Sequence, residues 1–267
     1  MLKDITIGQY YPSGSFIHRL DPRVKLAGTI LFIISLFPFS TIPVYVLVTA
    51  YLVMLIALCR VPLTYILKGL RPVLFLIILT GVLNLLTVRG GNEVFSYWKI
   101  VITDNGIYRA VFMVLRILYL VIGSSLMTYT TTPKELTDGI EKALNPLKRV
   151  RVPVHEFALI MSLALRFIPI LIEEAERIMN AQTSRGGNIE EGSFISRAKG
   201  IVSILVPLLI SAIKRANDLA YAMEARCYNG GSGRTKLHPL RYRSADILCY
   251  VAVLFYLAVI AVGILIK

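Results

Sequence analysis

The 267-residue chain is poor in the groups that carry covalent, redox or metal chemistry. Its three cysteines, Cys59, Cys227 and Cys249, lie far apart without CxxC spacing, so neither a disulfide framework nor a zinc site is indicated. The three histidines, His18, His155 and His238, are isolated among basic residues. No HExxH, GxSxG or GxxxxGK(S/T) string occurs, which argues against a zincin, a serine hydrolase and a phosphate-loop ATPase. Gly230-Gly231-Ser232-Gly233-Arg234 has the composition of a phosphate loop but not its spacing. Paired carboxylates are missing from the apolar runs, so an intramembrane hydrolase is not expected. Residues 1–21 lack an apolar core and a small-residue cleavage site, which leaves the first apolar helix as a retained anchor rather than a signal peptide. Acidic residues are scarce overall, 16 against 29 Lys and Arg, giving a formal charge of +13.

What the chain has in abundance is apolar sequence. At 56% hydrophobic residues and a mean hydropathy of +0.68 it is too apolar for a soluble domain. The fold class expected is an all-α integral membrane protein with about five transmembrane helices and a cytoplasmic domain of long helices. Asp21 is placed to cap the first helix and Pro22 suits its first turn. Spans are expected over residues 24–39, 44–59, 72–88, 107–128 and 245–266, each near the length needed to cross a hydrocarbon core of about 30 Å. Arg60, Lys68 and Arg71 mark a basic turn, and residues 89–106, with the only tryptophan, Trp98, read as an outer loop. The resulting domains are a membrane domain, 1–130, a cytoplasmic domain, 131–243, and a final membrane helix, 244–267.

The charge is clustered, and its location decides what it means. Residues 1–25 carry four Lys or Arg, 60–71 carry three and 131–243 carry seventeen, whereas the outer loop and its edge hold Arg89, Lys99 and Arg109. Positive residues collect in cytoplasmic loops, so the amino terminus and the long segment belong in the cytoplasm and the carboxyl terminus outside. This distribution points to a lipid bilayer rather than to nucleic acid. Within the long segment, residues 157–172 and 200–213 are apolar but short, and the first contains Arg166 and ends in Glu173-Glu174. Both run into amphipathic sequence. Long helices at the cytoplasmic surface are expected, with Pro169 and Pro207 kinking or restarting them. The alternative is an extra membrane hairpin that would put Ser184 and Arg185 outside.

Residues 154–231 hold two copies of one design: an apolar run with a proline, an arginine eight residues later (Arg177, Arg215), and a second arginine among small residues. The copies end in Ser184-Arg185-Gly186 and Ala225-Arg226-Cys227, with Gly187 and Gly230-Gly231 close behind. Glycine there ends a helix and leaves the arginine on the exposed last turn. A guanidinium in that place offers a planar fork to a partner's carboxylates or carbonyls. Complementing the negative helix end is the simpler role for either one. A pair of such ends suggests a partner with two-fold or pseudo-two-fold symmetry. From Pro169 to Arg185 is sixteen residues and from Pro207 to Arg226 nineteen, which suggests two similar but non-identical arms.

FIPILIEEAERIMNAQTSRGG and LVPLLISAIKRANDLAYAMEARCYNGG resemble the two coupling helices of the transmembrane T component of energy-coupling factor (ECF) type ABC transporters. FIHRLDPRVKL resembles that family's opening signature, and the likeness covers essentially the whole chain. The resemblance implies a non-enzymatic subunit in a prokaryotic cell membrane that joins two ABC-type ATPase subunits, expected here as a heterodimer, to a substrate-binding S component. ATP and Mg²⁺ would be held by the ATPases, and this chain would carry no cofactor. The family's docking motifs map onto Ser184, Arg185 and Gly186 and onto Ala225, Arg226 and Cys227. Ser184 stands in place of Ala and Cys227 in place of Gly, which puts the local backbone at Cys227 in question. Met161, Leu163, Leu165 and Leu209 are candidates for contact with the S component, against ordinary packing between the two helices.

Arg116 lies inside the fourth run, where a charge is costly, with no Asp or Glu deep in the runs to pair with it. A carbonyl-bound or snorkelling structural role is expected. Asn84 is expected to bond between helices, and Gly81 and Gly123 to mark close packing. A secondary transporter or channel would need a polar path that these runs, rich in little beyond Ser and Thr, do not offer. A passive membrane anchor for a soluble complex would share the docking arginines.

Overall fold

The structure, a computed structural model, describes residues 10–38, 41–88, 90, 92–97, 100–146, 153–186, 194–230, 240 and 242–265. Arg89, Trp98, Lys99, Gly187, His238 and residues 231–234 lie outside them. The described residues are helical almost throughout: α1 (Pro22–Ser35), α2 (Ile42–Cys59), α3 (Leu63–Leu70), α4 (Leu74–Thr87), α5 (Asp104–Thr130), α6 (Pro133–Ala143), α7 (Val154–Ser184), α8 (Phe194–Ala225) and α9 (Ser244–Leu265). The contacts divide it into two units, one of Gly8–Gly139 with Leu240–Lys267 and one that contains Ile140–Pro239.

Several boundaries differ from those read in the sequence. α1 ends at Ser35 rather than Phe39, because Pro38 cannot continue the ladder and disfavours helix in the residue before it. Leu36 and Phe37 instead close with tighter bonds to Ile33 and Ile34. At 14 residues α1 is about 21 Å long, short of a full crossing. The segment expected as a basic turn is helical: α3 runs through a 3₁₀ turn at Arg71–Val73 into α4, a 25-residue element from Leu63 to Thr87. The segment expected as an outer loop contains an antiparallel hairpin, β1 (Glu93–Tyr97) with β2 (Ile100–Thr103). Its β-branched and aromatic run was the readable signal. Six described helices are long and apolar enough to cross a membrane: α2, the α3–α4 element, α5, α7, α8 and α9.

The first unit is held by small residues and by one polar knot. Asp21 caps α1 as its position implied, accepting from Arg23 N at 3.0 Å. Lys25, buried one turn later, donates to the carbonyls of His18 (2.9 Å) and Thr130 (2.8 Å). Asp246, 1% exposed at the head of α9, accepts from the backbone N–H of Asp21 (2.8 Å) and of Arg243 (2.7 Å). Three chain segments, around residues 18–25, Thr130 and 243–246, are tied there by charged groups facing backbone partners, the arrangement that makes burial of charge tolerable. His18 belongs to the same corner. Its Nε2 faces the Tyr11 carbonyl at 2.8 Å, so Nε2 carries the proton and Nδ1 accepts from Ser15 at 2.7 Å. Downstream, Thr132 and Glu135 form a reciprocal capping box at the start of α6.

Close packing fixes the helix pairs. A Cβ on Gly123 in α5 would meet the Phe32 ring of α1 at 2.5 Å, and one on Gly81 in α4 would meet Val114 of α5 at 3.0 Å. Both glycines are the contact points expected of them. Phe32 packs among Tyr51 and Tyr256, whose rings stack at 4.2 Å. Gly123→Ala should therefore lower stability by about 1–3 kcal/mol through overpacking. Thermal melting of the detergent-purified chain checks this. Adding Phe32→Leu should return most of the loss, and an unchanged melting temperature in Gly123→Ala would refute the contact.

Candidate functional site

The second unit is built on α7 and α8, 31 and 32 residues long. Both helices run through their prolines, Pro169 and Pro207, without ending there, so the restart expected at those residues is not observed. They pair antiparallel. Gln182 near the end of α7 reaches the Ser203 carbonyl near the start of α8 at 3.5 Å, and Glu174 meets Arg215 at 3.1 Å. Leu159, Leu163 and Arg166 at the other end of α7 share a groove with Leu219, Met223 and Arg226. Arg185 and Arg226 thus stand at opposite ends of the helix pair.

The Glu174–Arg215 bond sets a local two-fold relation. From 174 to 185 and from 215 to 226 the spacing is the same, eleven residues, or about 16 Å of helix rise on either side of the ion pair. The difference counted from the prolines vanishes when it is counted from this crossing. Arg177 and Arg215, matched by sequence as copies, are not equivalent: Arg215 is in the ion pair and Arg177 is exposed.

Arg185 and Arg226 both occupy helix C-caps with a left-handed residue directly after them. In α7 the residue after Arg185 is Gly186, φ 83°, and its N–H bonds Thr183 O at 3.0 Å. In α8 it is Cys227, φ 56°, with Cys227 N to Glu224 O at 2.9 Å and Tyr228 N to Met223 O at 3.1 Å. The second set completes a Schellman cap. Cys227 therefore takes the glycine conformation at an expected cost of about 1 kcal/mol for a residue with a Cβ. The backbone question raised by its replacing glycine is answered: the turn is kept. Ser184, Arg185, Gly186, Ala225, Arg226 and Cys227 are all exposed.

The apolar candidates divide. Met161 and Leu209 point outward, 51% and 59% exposed, whereas Leu163 and Leu165 are half-buried and Leu163 lines the groove beside Arg226. Leu209 belongs to an open stripe along α8, Ile201, Leu205, Leu209 and Ile213, one turn apart and all more than half exposed. Phe157, Ile160 and Met161 give α7 a corresponding patch. Each helix has an apolar run, 157–172 in α7 and 200–213 in α8, followed by a polar stretch that leads to its capped arginine.

In the first unit Arg116 starts about 18 Å along α5 and bonds the Tyr45 hydroxyl at 3.3 Å, on the wall of a 520 Å³ cavity with Asn84, Asn105, Tyr108 and Arg109. Asn84 donates to Thr80 O in its own helix at 2.9 Å, in place of the interhelical bond expected. His155 pairs with Glu141 at 3.1 Å in the second unit. The capping box and the polar cavity were not anticipated, although Thr132-x-x-Glu135 was readable as a capping signal.

Comparison with known proteins places this arrangement. The family model described as cobalt transport protein matches residues 13–237. The energy-coupling factor transporter transmembrane protein EcfT of Clostridium kluyveri is 47% identical over 99% of this chain and 97% of its own length. The chain belongs to the energy-coupling factor transporter transmembrane protein family. Within that family, the protein of the same description from Bacillus subtilis is 42% identical over 96% of this chain and 99% of its own length. That from Lactococcus lactis is 40% identical over 95% of each. The chain is accordingly a multi-pass transmembrane component of an energy-coupling factor transporter.

The ion pair at the crossing is open to direct test. Glu174→Arg should reduce disulfide formation between cysteines introduced at Gln182 and Ser203, and adding Arg215→Glu should restore it. The coupling expected for a partly exposed pair is about 0.5–1 kcal/mol. Equal cross-linking in all three backgrounds would show that the bond does not set the pairing.

Proposed function

We propose that α7 and α8 are coupling helices that join two cytoplasmic ABC-type ATPase subunits to a membrane-embedded substrate-binding S component for uptake of a vitamin or other micronutrient. The observation that carries this reading is the pair of capped arginines at opposite ends of one antiparallel pair, equally spaced from a shared ion pair. Two separated subunits of an ATPase dimer, or heterodimer, can each hold one arginine. ATP binding draws the subunits together and displaces Arg185 relative to Arg226. The helix pair carries that displacement to the S component and reorients it. ATP and Mg²⁺ belong to the partner subunits, and this chain does no chemistry.

The apolar first halves of α7 and α8 are the surfaces for the S component, with Met161 and Leu209 outermost and Leu163 and Leu165 as supporting packing. An unbranched or branched aliphatic surface without fixed polar contacts suits exchangeable partners. The charge distribution supports a plasma-membrane protein with its amino terminus and the α7–α8 pair cytoplasmic and its carboxyl terminus outside. Length and composition allow α7 and α8 to cross a membrane. Arg166 within the apolar half of α7 and the polar second halves of both helices favour a surface position.

Arg185→Glu together with Arg226→Glu should abolish copurification of the ATPase subunits from membranes without lowering the yield of inserted chain. Either reversal alone should weaken the complex and leave one subunit attached. Retention of both subunits by the double variant would exclude the arginines as docking groups.

A further inference from the structure

Arg226 does not stand alone at its end of the pair. It lines a groove of about 630 Å³ together with Arg166, which reaches it from α7. Leu159, Leu163, Leu219 and Met223 form the apolar part of the wall, and residues 228–230 of the cap close one side. Among the described residues neither guanidinium has a hydrogen-bond or ion-pair partner. Glu173 and Glu224 are the nearest carboxylates along the chain, and neither is bonded to Arg166 or Arg226. Two like charges in one groove with apolar walls raise each other's energy, because the walls lower the local dielectric constant that would screen them. The same walls strengthen attraction to an anion that enters. Arg166 and Arg226 are both exposed at the groove, and Arg166 is the one charge of α7 between residues 157 and 172. A charge kept there without an internal partner points to an external one.

Resting on the proposed docking of Arg226 to an ATPase subunit, we propose that Arg166 and Arg226 act together as a two-cation groove for an acidic segment of that subunit. The segment presents two carboxylates, one for each guanidinium, flanked by apolar side chains that fill the space against Leu163, Leu219 and Met223. The planar guanidinium forks fix its orientation as well as its charge. Docking on this side is thereby a contact across both helices of the pair. It holds α7 and α8 together at the same time as it holds the subunit.

The test uses the whole transporter complex, purified through a tag on this chain in neutral detergent. Arg166→Ala should weaken retention of the ATPase subunit on the Arg226 side about tenfold, seen as release at lower NaCl, and Arg166→Lys should recover part of it. Treating the Arg166→Lys complex with a zero-length carboxyl–amine coupling reagent should join that position to an Asp or Glu of the ATPase, mapped by mass spectrometry. If Arg226→Glu releases the subunit while Arg166→Ala and Arg166→Glu hold it like the unaltered chain, the two-cation groove is wrong and Arg226 docking stands. If Arg226→Glu also holds the subunit, the docking reading fails and the groove with it. Sensitivity to Arg166→Ala that appears in nanodiscs of anionic lipid and is absent in neutral detergent would identify a lipid headgroup as the occupant and overturn the proposal.

Discussion

The antiparallel pairing of α7 and α8 is the constraint on which the candidate site depends. Neither helix is stabilised by its own amphipathic pattern alone, since each changes character midway, apolar first and polar afterwards. Pairing them head to tail sets an apolar half beside a polar half at each end. Parallel pairing would have gathered both apolar halves at one end and both arginines at the other. The Glu174–Arg215 bond and the Gln182–Ser203 contact fix the register of that choice. A single partly exposed ion pair contributes little to stability, so its value is in register more than in energy.

The two units solve the burial of charge in different ways. In the first, Lys25 and Asp246 are enclosed and answered by backbone groups within the chain, while Asp21 is engaged through Oδ1 and leaves Oδ2 buried without a partner among the described residues. In the second, the charged ends are open and the arginines are presented rather than enclosed. Close contact in the first unit is obtained by removing side chains, at Gly123 against Phe32 and at Gly139 against Pro22. In the first unit charge is held against backbone groups; in the second, Arg185 and Arg226 sit on helix ends whose caps are closed by backbone bonds.

Much of this was legible in the sequence because it rests on local rules. Asp21-Pro22 announced the start of α1, the glycines announced close packing, and the small residues after Arg185 announced a helix end. The end of α8 was legible as a motif but not as a conformation, since Cys227 has no propensity for the left-handed region and only the cap bonds show that it is there. The pairing of Glu174 with Arg215 was hidden because the visible repeat matched Arg177 to Arg215 by distance from a proline. Prolines mark where helices should break, and both helices nevertheless run on through them. The groove shared by Arg166 and Arg226 required the register between helices, which no single segment carries.

The equal arms also set a mechanical scale. With each arginine about 16 Å from the ion pair, a rotation of about 10° in either helix moves its arginine by about 3 Å. Small rotations at the ion pair thus become displacements of the size of a side chain at the tips. The gain is the same on both sides. A pair of this kind works as balanced scissors, and its travel is fixed by the eleven residues on each arm rather than by the strength of any contact along it.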